Sequence, residues 1–427
     1  MLKKIGKRAA GTFSCLLNAI FQIFMKGSFH MLKWLMLIVY IFSLIIVFKS
    51  MLYWFRCLFP IFQKKAARIV LLAVYLVFAY TIFFGSFLPD STIQAFIHKI
   101  GNYWLGLFIY LLFFTVIADL LILLLKKIHK KDSSFIQKPA LAVIYAFVWV
   151  LSLGLEVYGT IHAYQLEQAS YTVTINKKVD GIEELNIVLV ADMHLGYNVG
   201  CKEMQNMADR INALNPDLVF YAGDEFDNDF DALDDPDELA RILSTIKAKY
   251  GCYAIFGNHD VVETLVGGFP ITSDPYSLRD PRMQPFLESA GITVLNDEVT
   301  TIVDGKINLI GRYDIERVGT GTKERASIEE LVAKCDPDKP IFCMDHEPEG
   351  LDEIASAGVD LLFSGHTHAG QFFPLTIVQP FRWKNYWGLK TFGNMYSLVT
   401  SGVGVYGPAL RVGTNSEIVQ LTVKFAG

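Results

Sequence analysis

Five histidines lie between positions 166 and 427: His194, His259, His346, His366 and His368. Each follows a short apolar run that reads as a buried strand. Residues 186–191 (NIVLVA) lead into Asp192-Met193-His194, and residues 217–222 (DLVFYA) into Gly223-Asp224-Glu225-Phe226-Asp227. Residues 252–256 lead into Gly257-Asn258-His259-Asp260, residues 340–343 into Asp345-His346-Glu347, and residues 359–363 into Gly365-His366-Thr367-His368. Scattered histidines are ordinarily surface or core residues. Five out of five at strand exits, beside Asp192, Asp224 and Asn258, point to metal ligation. Imidazole with carboxylate suits Mn, Fe, Zn or Co better than Mg or Ca alone. A carboxylate at the end of a central strand can bridge two ions. Two ions ~3.5–4 Å apart can bind two phosphoryl oxygens together, which is equipment for phosphate-ester hydrolysis.

The elements that must position these residues alternate. Strands are predicted at 171–176, 186–191, 217–222, 252–256, 340–343, 359–363, 396–400 and 417–425, with a meander over 292–310. Helices are predicted at 202–214, 237–249, 285–290, 327–335 and 351–357. Alternation with an antiparallel portion implies an α/β domain of two packed mixed β-sheets flanked by helices. Ligands gather at the carboxyl ends of parallel strands in such sheets. Gly223, Gly257 and Gly365 precede ligand candidates where the chain must turn sharply off a strand.

The preceding residues are of a different kind. Of 427 residues, 52% are hydrophobic and 19% charged, too apolar for a purely soluble or disordered chain. Residues 1–165 hold 17 Lys/Arg and 4 Asp/Glu, a net +13; the remainder hold 21 and 39, a net −18. Segments 32–48, 66–88, 103–125 and 139–158 approach the ~20 apolar residues that a spanning helix needs. Residues 11–25 are a weaker fifth candidate. Residues 1–158 thus read as a membrane anchor, 159–170 as a linker and 171–427 as the catalytic domain. The Lys-rich loops after the first and third spans belong in the cytoplasm by the positive-inside rule, leaving the catalytic side extracytoplasmic. Asp119 lies within a span, where a carboxylate is a functional candidate; an anchoring role alone is the favoured reading. An acidic domain does not attract nucleic acid. The six cysteines show no CxxC spacing and read as mostly buried free thiols.

Taken together, Asp-x-His, Gly-Asp-x-x-Asp, Gly-Asn-His-Asp, a lone His and Gly-His-x-His stand in one order across residues 170–425. The chain resembles the calcineurin-like metallophosphoesterases, and its Gly-His-Thr-His-Ala-Gly-Gln run and spans resemble their membrane-anchored branch. The resemblance implies the four-layer α/β/β/α fold and two divalent ions, Mn, Fe or Zn. It implies that Asp192, His194 and His368 hold one ion, that Asn258, His346 and His366 hold the other, and that Asp224 bridges them. A bridging hydroxide would attack phosphorus in line. His259 would serve the leaving group, oriented and kept charged by Asp227.

Departures bear on the substrate. Asn228-Asp229 stands where the phosphoprotein phosphatase branch has Arg-Gly, which disfavours a phosphoprotein. The acidic run 225–238 reads as a solvated helix-entry loop. Arg312 and Arg411 are candidate phosphate clamps. Residues 266–285 read as a lid, and the aromatic-rich stretch 372–396 as a surface for the bilayer interface or as extra core. The preferred substrate is a phosphodiester or pyrophosphate in a lipid or cell-envelope compound. The alternatives are a nucleotidase or general phosphodiesterase on soluble substrates, and a non-catalytic metal-binding receptor. The expected partners are the bilayer and a phosphate ester, with no protein partner.

Overall fold

The computed structural model describes residues 29–88, 91–128, 138–266, 269–270 and 274–426. The candidate span 11–25 and the basic residues ahead of it lie outside the described residues. Four described helices are long and apolar enough to cross a membrane: α1 (Phe29–Leu58), α2 (Lys65–Phe84), α3 (Thr92–Ile128) and α4 (Lys138–Ala163). At 1.5 Å per residue the 37 residues of α3 extend ~55 Å, well beyond a ~30 Å hydrocarbon core. The chain divides into two compact units, one within residues 1–73 and 112–148, the other comprising 74–111 and 149–427. Within the first, Asp119 accepts a hydrogen bond from the Tyr145 hydroxyl at 2.6 Å.

Where the sequence predicts a linker over 159–170, α4 continues to Ala163 and β1 (Leu166–Ile175) begins after two intervening residues. The strands that follow are β2 (Glu184–Val190), β3 (Leu218–Ala222), β4 (Cys252–Ile255), a short hairpin of β5 (Leu265–Val266) and β6 (Phe269–Pro270), and β7 (Ile292–Val294). Next come β8 (Glu298–Ile302), β9 (Ile307–Gly311), β10 (Ile341–Met344), β11 (Leu361–Ser364), β12 (Gly388–Phe392), β13 (Met395–Val399) and β14 (Ser416–Phe425). One sheet has the order β1-β14-β2-β3-β4-β7 and the other β12-β13-β11-β10-β9-β8. The strands β2, β3, β4 and β7 run parallel, as do β9, β10, β11 and β13. Strand β12 has no counterpart among the predicted strands; its adjacent Lys390 and Thr391 are polar and exposed, so it carries no continuous apolar run.

Three apolar layers hold the domain together. Ile187, Leu189, Phe220 and Ile255 of the first sheet meet Leu309, Phe342, Met344 and Phe363 of the second. The outer face of the first sheet is covered by α5 (Cys201–Ala213), α6 (Pro236–Leu243) and α7 (Met283–Ser289). The outer face of the second is covered by α8 (Ile328–Val332) and α9 (Leu351–Ser356). Helix α5 buries Met204, Met207, Ala208 and Ile211 at helical spacing. It stops where Asn215 turns left-handed (φ 49°) ahead of Pro216. The result is helix, sheet, sheet, helix, the predicted four-layer architecture. All five described cysteines are free.

Candidate metal centre

Five loops leave the carboxyl ends of β2, β3, β4, β10 and β11 and converge. Their backbones are strained at the ligand candidates. Asp192 (φ 53°), His194 (48°), Asp224 (57°), His366 (70°) and His368 (48°) all adopt left-handed conformations. Such a conformation costs of order 1–3 kcal/mol in a non-glycine residue and persists only where the surroundings impose it. Those surroundings are carboxylates that bind the loops to one another. Asp260 accepts from the backbone N–H groups of Asp224, Phe226 and Gly257 at 2.9, 2.8 and 2.6 Å. Asp192 accepts from His366 N at 2.9 Å, and Asp224 Oδ1 from His259 N at 2.7 Å. A side chain at Gly257 would overlap Asp224 Oδ1, and one at Gly365 would overlap Asp192 Oδ2.

The side chains form two groups around Asp224. In the first, His194 Nε2 and His368 Nε2 face each other at 3.0 Å, and His368 Nε2 lies 3.3 Å from Asp192 Oδ1. In the second, His366 Nδ1 is 2.9 Å from Asn258 Oδ1, and His346 Nε2 is 3.0 Å from Asp224 Oδ2. The same Asp224 Oδ2 is 3.8 Å from His194 Nε2 and so faces both groups. Ligand atoms of Asp192, His194 and His368 gather within 4.8 Å of one another, and so do those of Asp224, His346 and His366. His346 Nδ1 is 2.7 Å from the Ala222 carbonyl, which fixes the proton there and frees Nε2. Buried Nε2 then has no hydrogen-bond partner. Imidazole nitrogens converging on a shared carboxylate, one of them orphaned, fit a pair of divalent ions.

The sequence profile described as calcineurin-like phosphoesterase matches residues 185–370. The chain carries a calcineurin-like phosphoesterase domain. A zebrafish (Danio rerio) relative named "Transmembrane protein with metallophosphoesterase domain" is 29% identical over 75% of this chain and 72% of its own length. A cattle (Bos taurus) protein of the same name is 28% identical over 69% of this chain and 64% of its own. An "Uncharacterized metallophosphoesterase" of Helicobacter pylori is 30% identical over 56% of this chain and 60% of its own length. The last two are therefore spanned over less than two thirds of their length. With the ligand clusters in place, the chain is a metal-dependent phosphoesterase, and its four apolar helices make it a membrane protein like the relatives so named.

Around the phosphoesterase centre, the supporting residues differ from those expected. Asp227 does not orient His259: its Oδ1 lies 3.6 Å from His194 Nδ1. The partner of His259 is Asn228, whose Oδ1 is 2.5 Å from Nδ1, while Asn228 Nδ2 donates to the Val261 carbonyl. That second bond fixes the amide, so Nδ1 of His259 is the donor. Nor is His259 held charged. Burial pushes its pKa well below the ordinary value; Asp224 opposes this, and His194, Arg317 and His366 add to it. Burial also resists ionisation of Asp224, but His346, His259 and His194 outweigh it and hold its carboxyl well below the usual range. Asp192, its burial dominating, is pushed up to about 6.

The two arginines are not free clamps. Arg312 pairs with Asp345 at 2.8 Å and donates to the Ala326 carbonyl. Arg411 is fully buried and donates to the carbonyls of Ser401 and Gly404 at 2.7 and 2.8 Å, lying 3.3 Å from His368 Nδ1. It braces a ligand candidate instead of awaiting phosphate. Another arginine, Arg317, reaches the second group: it is buried, donates to the Asn258 carbonyl at 2.8 Å and pairs with Glu263. Tyr406 packs its ring 4.3 Å from that of His259. Neither Arg317 nor Tyr406 carries a sequence signal, since each arrives from a loop without a motif. In the acidic run, Asp229 and Asp235 cap short helices, while Glu225 and Asp227 are buried. Of the aromatics in 372–396, Phe372 and Trp383 are buried, and Phe381 and Trp387 are exposed.

Proposed function

We propose that the chain is a membrane-anchored dinuclear phosphoesterase that cleaves a phosphodiester or pyrophosphate bond in an amphiphilic lipid or cell-envelope compound. The observation that carries the reading is the pair of ligand groups sharing Asp224 Oδ2. Asp192, His194 and His368 hold one ion, Asn258, His346 and His366 the other, and Asp224 both. Mn, Fe or Zn fits these nitrogen and oxygen donors. The ions, when bound, supply the positive charge that draws phosphoryl oxygens into an acidic domain and acidify the attacking water.

The chain's own residues do the rest. His259, its Nδ1 anchored by Asn228, takes a proton from solvent at Nε2 and delivers it to the departing oxygen. Proton transfer of this kind contributes ~10²–10⁴ in rate. Asp227, behind His194, sets the tautomer that leaves His194 Nε2 free. The catalytic side is extracytoplasmic, following the Lys-rich loops.

Full-length protein in nanodiscs, supplied with Mn²⁺ or Zn²⁺, is expected to hydrolyse bis-p-nitrophenyl phosphate and, faster, a lipid-linked pyrophosphate. Metal-independent or absent turnover would overturn the hydrolase reading. Turnover of soluble monoesters alone would overturn the lipid part. An impermeant thiol reagent reacting with a cysteine introduced at Ala426 in intact cells tests the orientation.

A further inference from the structure

The last ligand candidate, His368, is followed by thirteen residues without a charge, ending at Arg382. The middle of this stretch is a pair of short turns, Leu375–Ile377 and α10 (Gln379–Arg382). Apolar side chains here face outward: Leu375 is 46% exposed, Ile377 56%, Val378 55% and Phe381 84%. Four large apolar groups thus stand exposed within seven residues, a concentration that points to an interaction surface.

What covers the patch follows from its anchorage. Phe372 packs its ring 6.3 Å from that of Tyr110 in α3. Phe373 N donates to Val412 O at 2.9 Å, and the neighbouring Arg411 N donates to Gly159 O in α4 at 2.9 Å. Tyr110 and Gly159 both lie inside membrane-crossing helices. The turns therefore spring from a loop bonded directly to spanning segments. On the other side, Trp383 packs its ring 5.3 Å from that of His366. The exposed patch thus joins the spans to the metal centre.

We propose that Leu375, Ile377, Val378 and Phe381 form a wedge inserted into the bilayer leaflet in which the chain's own spans are rooted. The wedge holds the mouth of the centre at the level of lipid headgroups. Apolar side chains flanked by Arg382 and Lys384 are the pattern of an interfacial anchor. The wedge deepens the lipid-substrate reading, because an amphiphile whose tail stays in the leaflet presents its phosphate at that level. Its existence does not depend on that reading.

The test separates the two. In the full-length chain, with Cys57 and Cys201 replaced by Ser, Phe381→Cys is labelled with an environment-sensitive fluorophore and reconstituted in phosphatidylcholine vesicles. Spin-labelled lipids carrying the nitroxide near the headgroup should quench it at least twofold, and aqueous iodide should not. Iodide quenching without lipid quenching would overturn the proposal. So would protection from both quenchers with cross-linking of two chains through residue 381, which would make a second copy the occupant. In a second arm, a Leu375→Ser/Ile377→Ser/Phe381→Ser variant should raise KM for a vesicle-borne lipid pyrophosphate about tenfold. Its kcat/KM for bis-p-nitrophenyl phosphate should not change. Lipid quenching with an unaltered KM would leave the wedge standing and overturn the lipid-substrate reading.

Discussion

The two halves of the metal centre are built alike but charged differently. Around Asp192, His194 and His368 the oxygen donor is a carboxylate. Around Asn258, His346 and His366 it is an amide. Each half has a histidine backed by a buried carboxylate: Asp227 lies 3.6 Å from His194 Nδ1, and Glu347 lies 3.7 Å from His366 Nε2. The remaining imidazoles are backed by a neutral carbonyl at His346 and by cationic Arg411 at His368. Under the proposed ligand assignment, the first half would attract a cation through its own carboxylate and the second would lean on Asp224. That assignment predicts ordered loading, with the Asp192 half filled first.

The comparison can be broken most forcefully at the bridge. Asp224→Ala should empty both halves and lower kcat/KM by on the order of 10³ or more, since it removes the charge that both ions share. Metal content by plasma emission beside steady-state rates would show this; retention of both ions would refute the bridging role. His259→Ala should lose ~10²–10⁴ in kcat with both ions still bound, and loss of metal would recast His259 as a ligand. The carboxylates behind the histidines should act on one half each. Asp227→Asn and Glu347→Gln should each weaken one ion ~10–100-fold, measured by competition with a zinc indicator, and equal effects on both ions would erase the distinction.

The smallest effect is in pH. Metal-free Asp192, with its carboxyl pushed up to about 6, binds a proton that an ion must displace. Because that pKa is raised, the proton is held below about pH 6 and released above it. The Asp192 contribution to affinity at the first half should therefore climb ~10-fold per unit as pH rises toward 6 and flatten above, beneath a further rise from His194, which burial pushes down but Asp227, Asp224 and Asp192 hold above its ordinary value. Asp192→Asn should remove this portion of the slope. An unchanged slope would place the displaced proton elsewhere.

How far the sequence could be read depends on where the information sits. Each ligand candidate stands one to five residues past an apolar run, so strand pattern and residue type together marked it. The four-layer arrangement followed from the alternation of runs. The supporting shell was not legible in the same way. Asp227 and Asn228 are adjacent in the chain, and only the left-handed turn at Asn228 (φ 61°) decides which of them meets His259. Arg312 looked available because its partner, Asp345, lies on a different strand end. Arg411 reads as a phosphate clamp because an arginine is rarely buried without a charged partner, yet carbonyls of a glycine-rich loop enclose it. Pairing between distant loops leaves no local spacing to detect.

The position of β14 has a consequence for how the protein is made. It lies between β1 and β2, parallel to one and antiparallel to the other, so the first and second strands of the domain touch only through the last. During synthesis the membrane helices and nearly all of the domain emerge before that central position can be filled. Residues 416–425 must clear the ribosome before β1, which follows a spanning helix, can join its sheet. A nascent chain stalled shortly before residue 416 should thus be a protease-sensitive precursor, however complete its metal-binding motifs.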